Sequence, residues 1–292
     1  MPAATGIPSE IKEHRLARLD RPGGIGLHYL EDGRGVPIIF LHGGMGDCRS
    51  WIPQVEAFAP RFRVVSYSRR YSHPNANSID DPNHSCRQEA RDLDDFLRGL
   101  RCGPAHLVGT SYGALTALTY ALDRPGEVLP LVLVEPPLLP WVRVASNGAV
   151  VCNIFLREVW EPAARAFAAG RRRHAMRCLY DGMRGPGTFV LLDDAQLDAI
   201  MRNSRAMESL VLSTDCFPDL PALAVAQLQM PVLLVTGERT VPVHRLAHVA
   251  LTRVLPRAEQ AVIAHAGHAA ASENPEAFNN ALGGFLARTS PD

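Results

Sequence analysis

A Gly-x-Ser-x-Gly motif at residues 109–113 places a serine between two glycines. A chain that turns at once from a strand into a helix has no room for side chains beside the bend. Glycines two positions before and after the central residue remove the Cβ atoms that would clash. Ser111 would then stand at the tip of a strained turn with its hydroxyl open to a substrate. The chemistry that this pattern predicts is nucleophilic attack by a serine oxygen.

The segments on both sides of this motif have the patterns that such a turn requires. Residues 105–108 form a short apolar run that predicts a buried strand, and residues 114–122 predict a buried helix that ends near residues 124–126. Strand, turn and helix therefore follow one another in the order that exposes a nucleophile.

A serine hydroxyl is a weak nucleophile at neutral pH, so the site needs a base and an acid that orients the base. The best candidate for the base is His268, which follows Gly267 after the last predicted strand. His265 is the competitor, but it would lie within or at the end of that strand, where a structural role is expected.

Two glutamates compete for the role of the acid. Glu135 directly follows the apolar strand 131–134 and precedes two prolines that fix its backbone. A carboxylate there is costly to bury without a partner, and a histidine that becomes cationic would be that partner. Glu238 follows the predicted strand 231–236. We expect Glu135 to be the acid and keep Glu238 as the alternative.

The oxyanion that forms during attack needs backbone N–H groups aimed at it. Tyr112 directly follows the serine at the start of the predicted helix, where the helix dipole also helps. The second N–H is expected from the turn after strand 37–41, where Gly44 is the first candidate and Met45 the second. His42, at the start of that turn, is predicted to be structural.

The elements that must position these residues alternate between strands and helices. The predicted strands are residues 14–20, 26–30, 37–41, 62–67, 105–108, 131–134, 231–236 and 260–264. The predicted core helices are residues 51–58, 85–100, 114–122 and 275–286. This alternation predicts an α/β fold with a doubly wound, mostly parallel, eight-stranded sheet. The reactive residues then gather beyond the carboxyl ends of the strands.

The alternation stops between the sixth and seventh strands. Patterns typical of helices cover residues 150–169, 171–183 and 194–212, with no buried strand between them. We therefore predict a helical cap at residues 137–214, inserted into a core domain made of residues 1–136 and 215–292.

Composition excludes several classes of function. The 292 residues are 47% hydrophobic, and 30 basic residues balance 30 acidic ones, so no nucleic-acid partner is expected. The six cysteines form no C-x-x-C pair, which predicts reduced thiols, a cytoplasmic location and no metal site. Residues 1–12 lack the pattern of a secretion signal, and the apolar run 128–142 is too short to cross a membrane. A monomer or homodimer is expected.

Three groups of residues resemble those of a known family. They are His42-Gly43-Gly44 with Gly46 and Trp51, the 109–113 motif, and Ala266-Gly267-His268 with Glu273-Asn274-Pro275. The chain resembles the capped serine hydrolases of the α/β-hydrolase fold, which include many esterases and proline-iminopeptidase-like proteins. The resemblance spans nearly the whole chain outside the predicted cap.

This resemblance sharpens the question of the acid. Most members carry the acid in a G-x-x-D pattern after the penultimate strand, and Thr240 occupies that Asp position here. A glutamate after the sixth strand is similar to the relocated acid of haloalkane dehalogenases. Those enzymes, like epoxide hydrolases, use an Asp nucleophile, so Ser111 argues against both.

A second departure concerns the loop after the fourth strand. Family members often carry a D-x-R-G-x-G-x-S pattern, whereas residues 68–74 have a different one, in which Arg70 keeps the usual arginine and is expected to be structural. Three other side chains of the loop could bind a carboxylate or a polar acyl group near the pocket mouth: Arg69, Tyr71 and His73. Aromatic residues expected to add an apolar wall, with core packing as the alternative, are Trp141, Phe155, Trp160 and Phe189.

Together these features predict a cofactor-free hydrolase that cleaves an ester, lactone or related acyl bond of a small molecule. Ser111, His268 and Glu135 would act as a triad through an acyl-enzyme. Hydrolysis of a carbon–carbon or amide bond on the same triad is one alternative. A ligand-binding receptor that kept the fold without rapid turnover is the other.

Overall fold

The structure, a computed structural model, describes residues 15–21 and 23–289, which are organised around one eight-stranded sheet. The strands are β1 Ala17–Arg21, β2 Ile25–Asp32, β3 Pro37–Leu41, β4 Arg63–Tyr67, β5 Ala105–Thr110, β6 Val128–Val134, β7 Val232–Gly237 and β8 Glu259–Ile263. The segment 1–12 that lacks a signal pattern, and His14 of the first predicted strand, lie outside the described residues.

The sheet has the order β1-β2-β4-β3-β5-β6-β7-β8. Strand β2 pairs with β1 and β4 in antiparallel orientation, and the six strands from β3 to β8 run parallel to one another. The prediction of a doubly wound, mostly parallel sheet is therefore confirmed. All parallel strands end at the same edge, so the residues that follow β3, β5, β6, β7 and β8 meet there.

The central strands are apolar because both of their faces are covered. In β3, Ile39 and Leu41 belong to one hydrophobic cluster, while Ile38 and Phe40 belong to another. Successive side chains of a strand point to opposite faces, so the two clusters are the cores on the two sides of the sheet. This arrangement explains why the sequence shows continuous apolar runs instead of alternation.

Thirteen α-helices connect and cover the strands in the described part of the chain. They are α1 Ile52–Phe58, α2 Cys86–Gly99, α3 Tyr112–Asp123, α4 Leu139–Val144, α5 Gly148–Phe155, α6 Glu161–Ala168, α7 Arg172–Arg184, α8 Asp194–Arg202, α9 Ser204–Val211, α10 Ala222–Ala226, α11 Pro242–Val254, α12 Ala270–Glu273 and α13 Pro275–Thr289. Helices α4 to α10 lie between β6 and β7. Within residues 15–21 and 23–289, no helix is both long enough and apolar enough to cross a membrane.

Two long helices predicted in the inserted region are interrupted. The predicted helix 150–169 contains a π-helical segment, Leu156–Trp160, between α5 and α6. The predicted helix 194–212 is split into α8 and α9 at Asn203. The Asn203 amide donates to the Ala199 carbonyl and its oxygen accepts from the His73 N–H, so this buried side chain stabilises the break through polar contacts.

Helix α11 was not anticipated from the sequence. Its signals are nevertheless present, because Pro242 occupies the first turn and Val243, Ala247 and Leu251 recur at helical spacing on the buried side. This omission matters, because α11 carries a residue of the candidate site.

Candidate active site

Ser111 lies at the turn between β5 and α3, with φ 52° and ψ −121°. Few residues other than glycine adopt a positive φ, so the conformation is strained and is held by the surrounding structure. One support is the hydrogen bond from the Ser111 N–H to the Val134 carbonyl, 2.7 Å. A Cβ on Gly109 would come within 2.5 Å of the Gly113 carbonyl oxygen, so the strand and the helix can approach this closely only with glycine.

His268 follows β8 and contacts both the serine and a carboxylate. Its Nε2 lies 3.0 Å from Ser111 Oγ, and its Nδ1 lies 2.6 Å from Glu135 Oε2. A carboxylate only accepts, so Nδ1–H donates to Glu135, which leaves Nε2 to accept the Ser111 hydroxyl proton. The ring is buried, with 7% exposure, so its orientation is fixed by these two contacts and by packing.

Glu135 directly follows β6 and is completely buried. Its Oε1 accepts from Thr236 Oγ1 at 2.6 Å and from the Gly237 N–H at 3.0 Å, and its Oε2 accepts from Thr240 Oγ1 at 2.7 Å. Burial acts to raise the pKa of Glu135, but the hydrogen bond and charge of His268 and the other donors outweigh burial and lower the pKa to about 2. The carboxylate is therefore ionised at neutral pH.

Glu238, the alternative acid, is far less constrained. It is exposed, and its carboxylate accepts the His265 N–H at 2.8 Å. His265, the competing base, is also exposed and lies beside Glu238 and Arg239. The structure thus brings Glu135 and His268 together at Ser111, and it pairs Glu238 and His265 elsewhere.

Two threonines that sequence reasoning did not assign complete the environment of Glu135. Thr236 is the penultimate residue of β7, and Thr240 follows three residues beyond that strand's end, at the position where most family members carry the acid. Here the Thr240 hydroxyl donates to Glu135. The threonine at position 240 and the glutamate after β6 are therefore two parts of one hydrogen-bonded group.

The loop after β3 brings backbone N–H groups near the serine. A Cβ built on Gly43 would lie 3.3 Å from Ser111 Cβ, so the loop packs directly against Ser111. Among the described residues, no hydrogen-bond acceptor contacts the N–H of Gly44, Met45 or Tyr112. These three groups are available to an incoming oxyanion.

His42 is a structural part of this loop. Its Nε2 accepts from the Arg69 N–H at 3.0 Å, and its Nδ1 donates to the Gly43 carbonyl at 2.7 Å. Burial is the main cause that lowers the pKa of His42 to about 3, and the Arg69 charge adds to it. The neutral ring therefore fixes the shape of the loop without taking part in proton transfer.

Two cavities meet at Ser111. The larger, about 680 Å³, is bordered by His268 and by side chains of the inserted helices, among them Met183, Gln196 and Ile200. The smaller, about 40 Å³, also borders Ser111. Its walls include Gly44, Tyr112, Phe155, Trp160, Met207, Phe217 and His244.

Most residues expected to bind substrate lie elsewhere. Trp160 does border the small cavity, but Arg69, Tyr71, His73 and Trp141 border neither cavity. Arg69 is buried in an ion pair with Glu89, and its guanidinium also donates to the Gly43 carbonyl. The arginines of this loop pair with carboxylates of α2 inside the protein, and a role of the loop in substrate binding stays a prediction.

Three further contacts account for the other residues of this group. The Tyr71 ring packs edge-on against His84. The His73 backbone N–H donates to Asn203. The Trp141 indole N–H donates to the Leu220 carbonyl at 3.0 Å. These contacts are structural, as is that of Arg70, whose guanidinium forms a two-point ion pair with Asp92.

His244, on α11, was missed by sequence reasoning and stacks on His268. Their ring centroids are 3.7 Å apart and their planes differ by 7°. Donor atoms of Glu135, His244 and His268 lie within 4.8 Å of one another, a spacing that can hold a metal ion. However, nitrogen lone pairs of parallel stacked rings do not converge on one point, and both Glu135 oxygens already accept hydrogen bonds. This cluster is therefore poorly suited to bind a metal.

Comparison with known proteins agrees with this fold. A model of the alpha/beta hydrolase family matches residues 38–281. RutD of Azorhizobium caulinodans, named for carbamate hydrolysis, is 26% identical over 269 residues, which cover 90% of this chain and 96% of RutD. The chain belongs to the alpha/beta hydrolase family, and the predicted family and enzyme class are confirmed.

Two solved structures have the same fold. Carboxylesterase CesB of Bacillus subtilis has a TM-score of 0.74 and 20% identity, and the match covers 95% of this chain and 93% of CesB. Est816, described as an N-acyl homoserine lactone degrading enzyme, has a TM-score of 0.72 and 23% identity, with 92% of this chain and all of Est816 covered. At these identities the likeness establishes the fold alone.

Proposed function

We propose that this hydrolase cleaves an ester, lactone or related acyl bond of a small molecule through a Ser111–His268–Glu135 triad. The observation that supports the proposal is the chain of two hydrogen bonds from Ser111 Oγ through His268 to Glu135, 3.0 and 2.6 Å long. RutD, CesB and Est816 are named for carbamate, ester and lactone cleavage, which are all acyl-transfer reactions.

In this mechanism Ser111 Oγ attacks the acyl carbon while its proton passes to His268 Nε2. Glu135 stabilises the imidazolium through Nδ1–H, and the N–H groups of Tyr112 and Gly44 hold the oxyanion, with Met45 as the alternative to Gly44. His268 then gives its proton to the leaving group. Water, activated by the same base, releases the acyl group from Ser111.

The inserted helices between β6 and β7 act as a cap in this proposal, because their side chains line the larger cavity above Ser111. A small-molecule substrate fits a cavity of this size. The monomeric or dimeric state, the cytoplasmic location and the domain bounds at residues 137 and 214 stay predictions.

Labelling with a fluorophosphonate tests the proposal. The wild-type protein should be labelled and should hydrolyse p-nitrophenyl acetate, and Ser111→Ala should lose labelling and at least about 10⁴-fold in kcat. Equal labelling or equal hydrolysis by Ser111→Ala would reject Ser111 as the nucleophile. Labelling without hydrolysis of any ester, amide or carbamate would favour the receptor function.

A further inference from the structure

The two cavities beside Ser111 differ in which histidine they contact. His268 borders the large cavity, whereas His244 borders the small one. Ser111 and Gly44 border both. The stacked pair of histidines therefore contributes one ring to the wall of each space.

The His244 ring is held firmly in this position. His244 is buried, with 2% exposure. One face of its ring lies against the His268 ring, and the two ring centroids are 3.7 Å apart. The Phe155 ring packs edge-on against it, 6.5 Å away at 65°. A ring fixed by two aromatic neighbours restricts the motion of His268 in turn.

The chemistry of His244 is unusual for a core residue. Neither ring nitrogen has a hydrogen-bond partner within residues 15–21 and 23–289. An unsatisfied buried polar group costs about 1–3 kcal/mol, so an apolar residue would make the fold more stable at this position. Burial first, and the charge of His268 second, lower the pKa of His244 to about 3, while Glu135 opposes this shift. The ring facing His268 is consequently neutral.

The position of His268 decides which cavity takes which part of the substrate. The leaving group must receive its proton from His268 Nε2, so it has to occupy the cavity that His268 borders. The acyl group is then left with the small cavity, which Ser111 also borders. This assignment depends on the proposed triad.

We propose that His244 divides the active site into two subsites. Its ring closes the small cavity, which takes a short acyl group, and it covers the face of His268, which serves a larger leaving group on the other side. His244 is thus a positioning residue for His268 and a determinant of acyl length.

The size of the small cavity sets the expected acyl length. A single water requires about 10–15 Å³ of such space. The cavity of about 40 Å³ therefore holds an acyl chain of about two to four carbons. The π-helical segment contributes to this limit, because it brings Phe155 and Trp160 to the same wall with ring centroids 6.2 Å apart.

The test compares p-nitrophenyl acetate, butyrate and octanoate, which share one leaving group. For the wild type, kcat/KM should fall at least about 100-fold from butyrate to octanoate. His244→Phe keeps the ring and should retain this ratio and a kcat for acetate within about five-fold. His244→Ala removes the ring and should lower kcat for acetate at least about ten-fold, with little change in KM, and should flatten the acyl profile.

Met207→Ala provides a second variant should His244→Ala fail to fold. Met207 borders the small cavity and packs against Gly44. A Cβ built on Gly44 would lie 2.6 Å from the Met207 sulfur. The shorter alanine side chain should enlarge the cavity. The ratio of kcat/KM for octanoate to kcat/KM for butyrate should then rise at least about ten-fold. The same ratio can be measured without turnover, from the rates at which ethyl- and octyl-phosphonate p-nitrophenyl esters inactivate the enzyme.

A wild-type profile that is flat or rises toward octanoate would overturn the proposal. So would a His244→Phe variant that loses as much kcat as His244→Ala, because the ring would then not be the feature that matters. These outcomes leave Ser111 labelling intact. A separate result would reject the triad itself: phosphonate esters would inactivate Ser111→Ala as fast as they inactivate the wild type.

Discussion

Two buried carboxylates in this protein are both kept ionised, but by different partners. Glu135 at the candidate site and Glu89 on α2 are both almost fully buried, and the pKa of each is lowered to about 2 against the effect of burial. Glu89 lies 3.0 Å from both Arg69 Nη1 and His84 Nε2. Glu135 contacts His268 and two threonine hydroxyls.

The partner determines what each carboxylate can do. Arginine does not release its proton in proteins, so the Glu89–Arg69 pair can only hold structure. Arg69 uses this anchor to contact the Gly43 carbonyl and His42 in the loop beside Ser111. Histidine can gain and lose a proton near neutral pH, so the Glu135–His268 pair can take part in catalysis. One cluster stabilises the scaffold, and the other is the one that the proposed mechanism uses.

The largest effect that would test this contrast is the loss of the Glu135 charge. Glu135→Gln should lower kcat roughly 10³–10⁴-fold, because a neutral amide no longer stabilises the imidazolium or its tautomer. Steady-state hydrolysis of p-nitrophenyl acetate measures it. Glu238→Gln is the matched control and should stay within about three-fold. A greater loss in Glu238→Gln would reverse the assignment of the acid.

Removing the scaffold carboxylate should act on stability instead. Glu89→Gln leaves Arg69 buried and uncompensated, and should lower the free energy of unfolding by about 3–5 kcal/mol. Urea unfolding measures this loss, and kcat of the folded fraction should change less than in Glu135→Gln. A Glu89→Gln protein as stable as the wild type but as inactive as Glu135→Gln would contradict the contrast.

A smaller effect is expected on the free energy of unfolding at acidic pH, where His244 contributes. The pKa of His244 is lowered from 6.5 to about 3, so the unfolded chain binds one more proton than the folded one in this pH range. Stability from this residue is complete above pH 6.5 and falls as the pH drops toward 3. His244→Phe should reduce the slope by up to about 1.4 kcal/mol per pH unit.

Urea unfolding at pH 4.5, 5.5 and 6.5 measures that slope. The wild type and His244→Phe are compared under the same conditions. His244→Phe should also be more stable than the wild type at pH 4.5, because it removes two unpartnered nitrogens. An unchanged slope would mean that His244 is protonated in the folded protein.

The smallest effect is expected where a carboxylate pairs at the surface. Glu259 and Arg288 form an ion pair of 2.6 Å, with 44% and 59% of their side chains exposed. Glu259→Gln should change the free energy of unfolding by no more than about 1 kcal/mol, since water and salt screen the pair. A loss comparable to that in Glu89→Gln would show that burial is not what separates these carboxylates.

The parts of the site that were predictable depend on local constraints. Ser111 follows from glycines that the turn requires, and His268 follows from its place after the last strand. Glu135 could be favoured over Glu238 because a charge directly after four apolar residues needs a buried partner. The strands were predicted well because continuous apolar runs report burial on both faces of a parallel sheet.

The parts that were missed depend on contacts between distant segments. Arg69, in the loop after β4, looked available to a substrate, but Glu89 of helix α2 neutralises it. Nothing near His244 in the sequence indicates that α11 brings its ring onto His268. The roles of Thr236 and Thr240 depend on the pairing of β7 with β6, because Glu135 directly follows β6.

By itself, the sequence determined the alternating sheet, the strained serine at the end of β5 and the histidine after β8, because backbone sterics and hydrophobic periodicity act over a few residues. Only the tertiary structure decided which glutamate contacts His268, and that Ser111 borders both a small and a large cavity. Those outcomes depend on the register of neighbouring strands and on the packing of inserted helices against the core. Such contacts join residues 100 or more positions apart, as in Glu135 and His268.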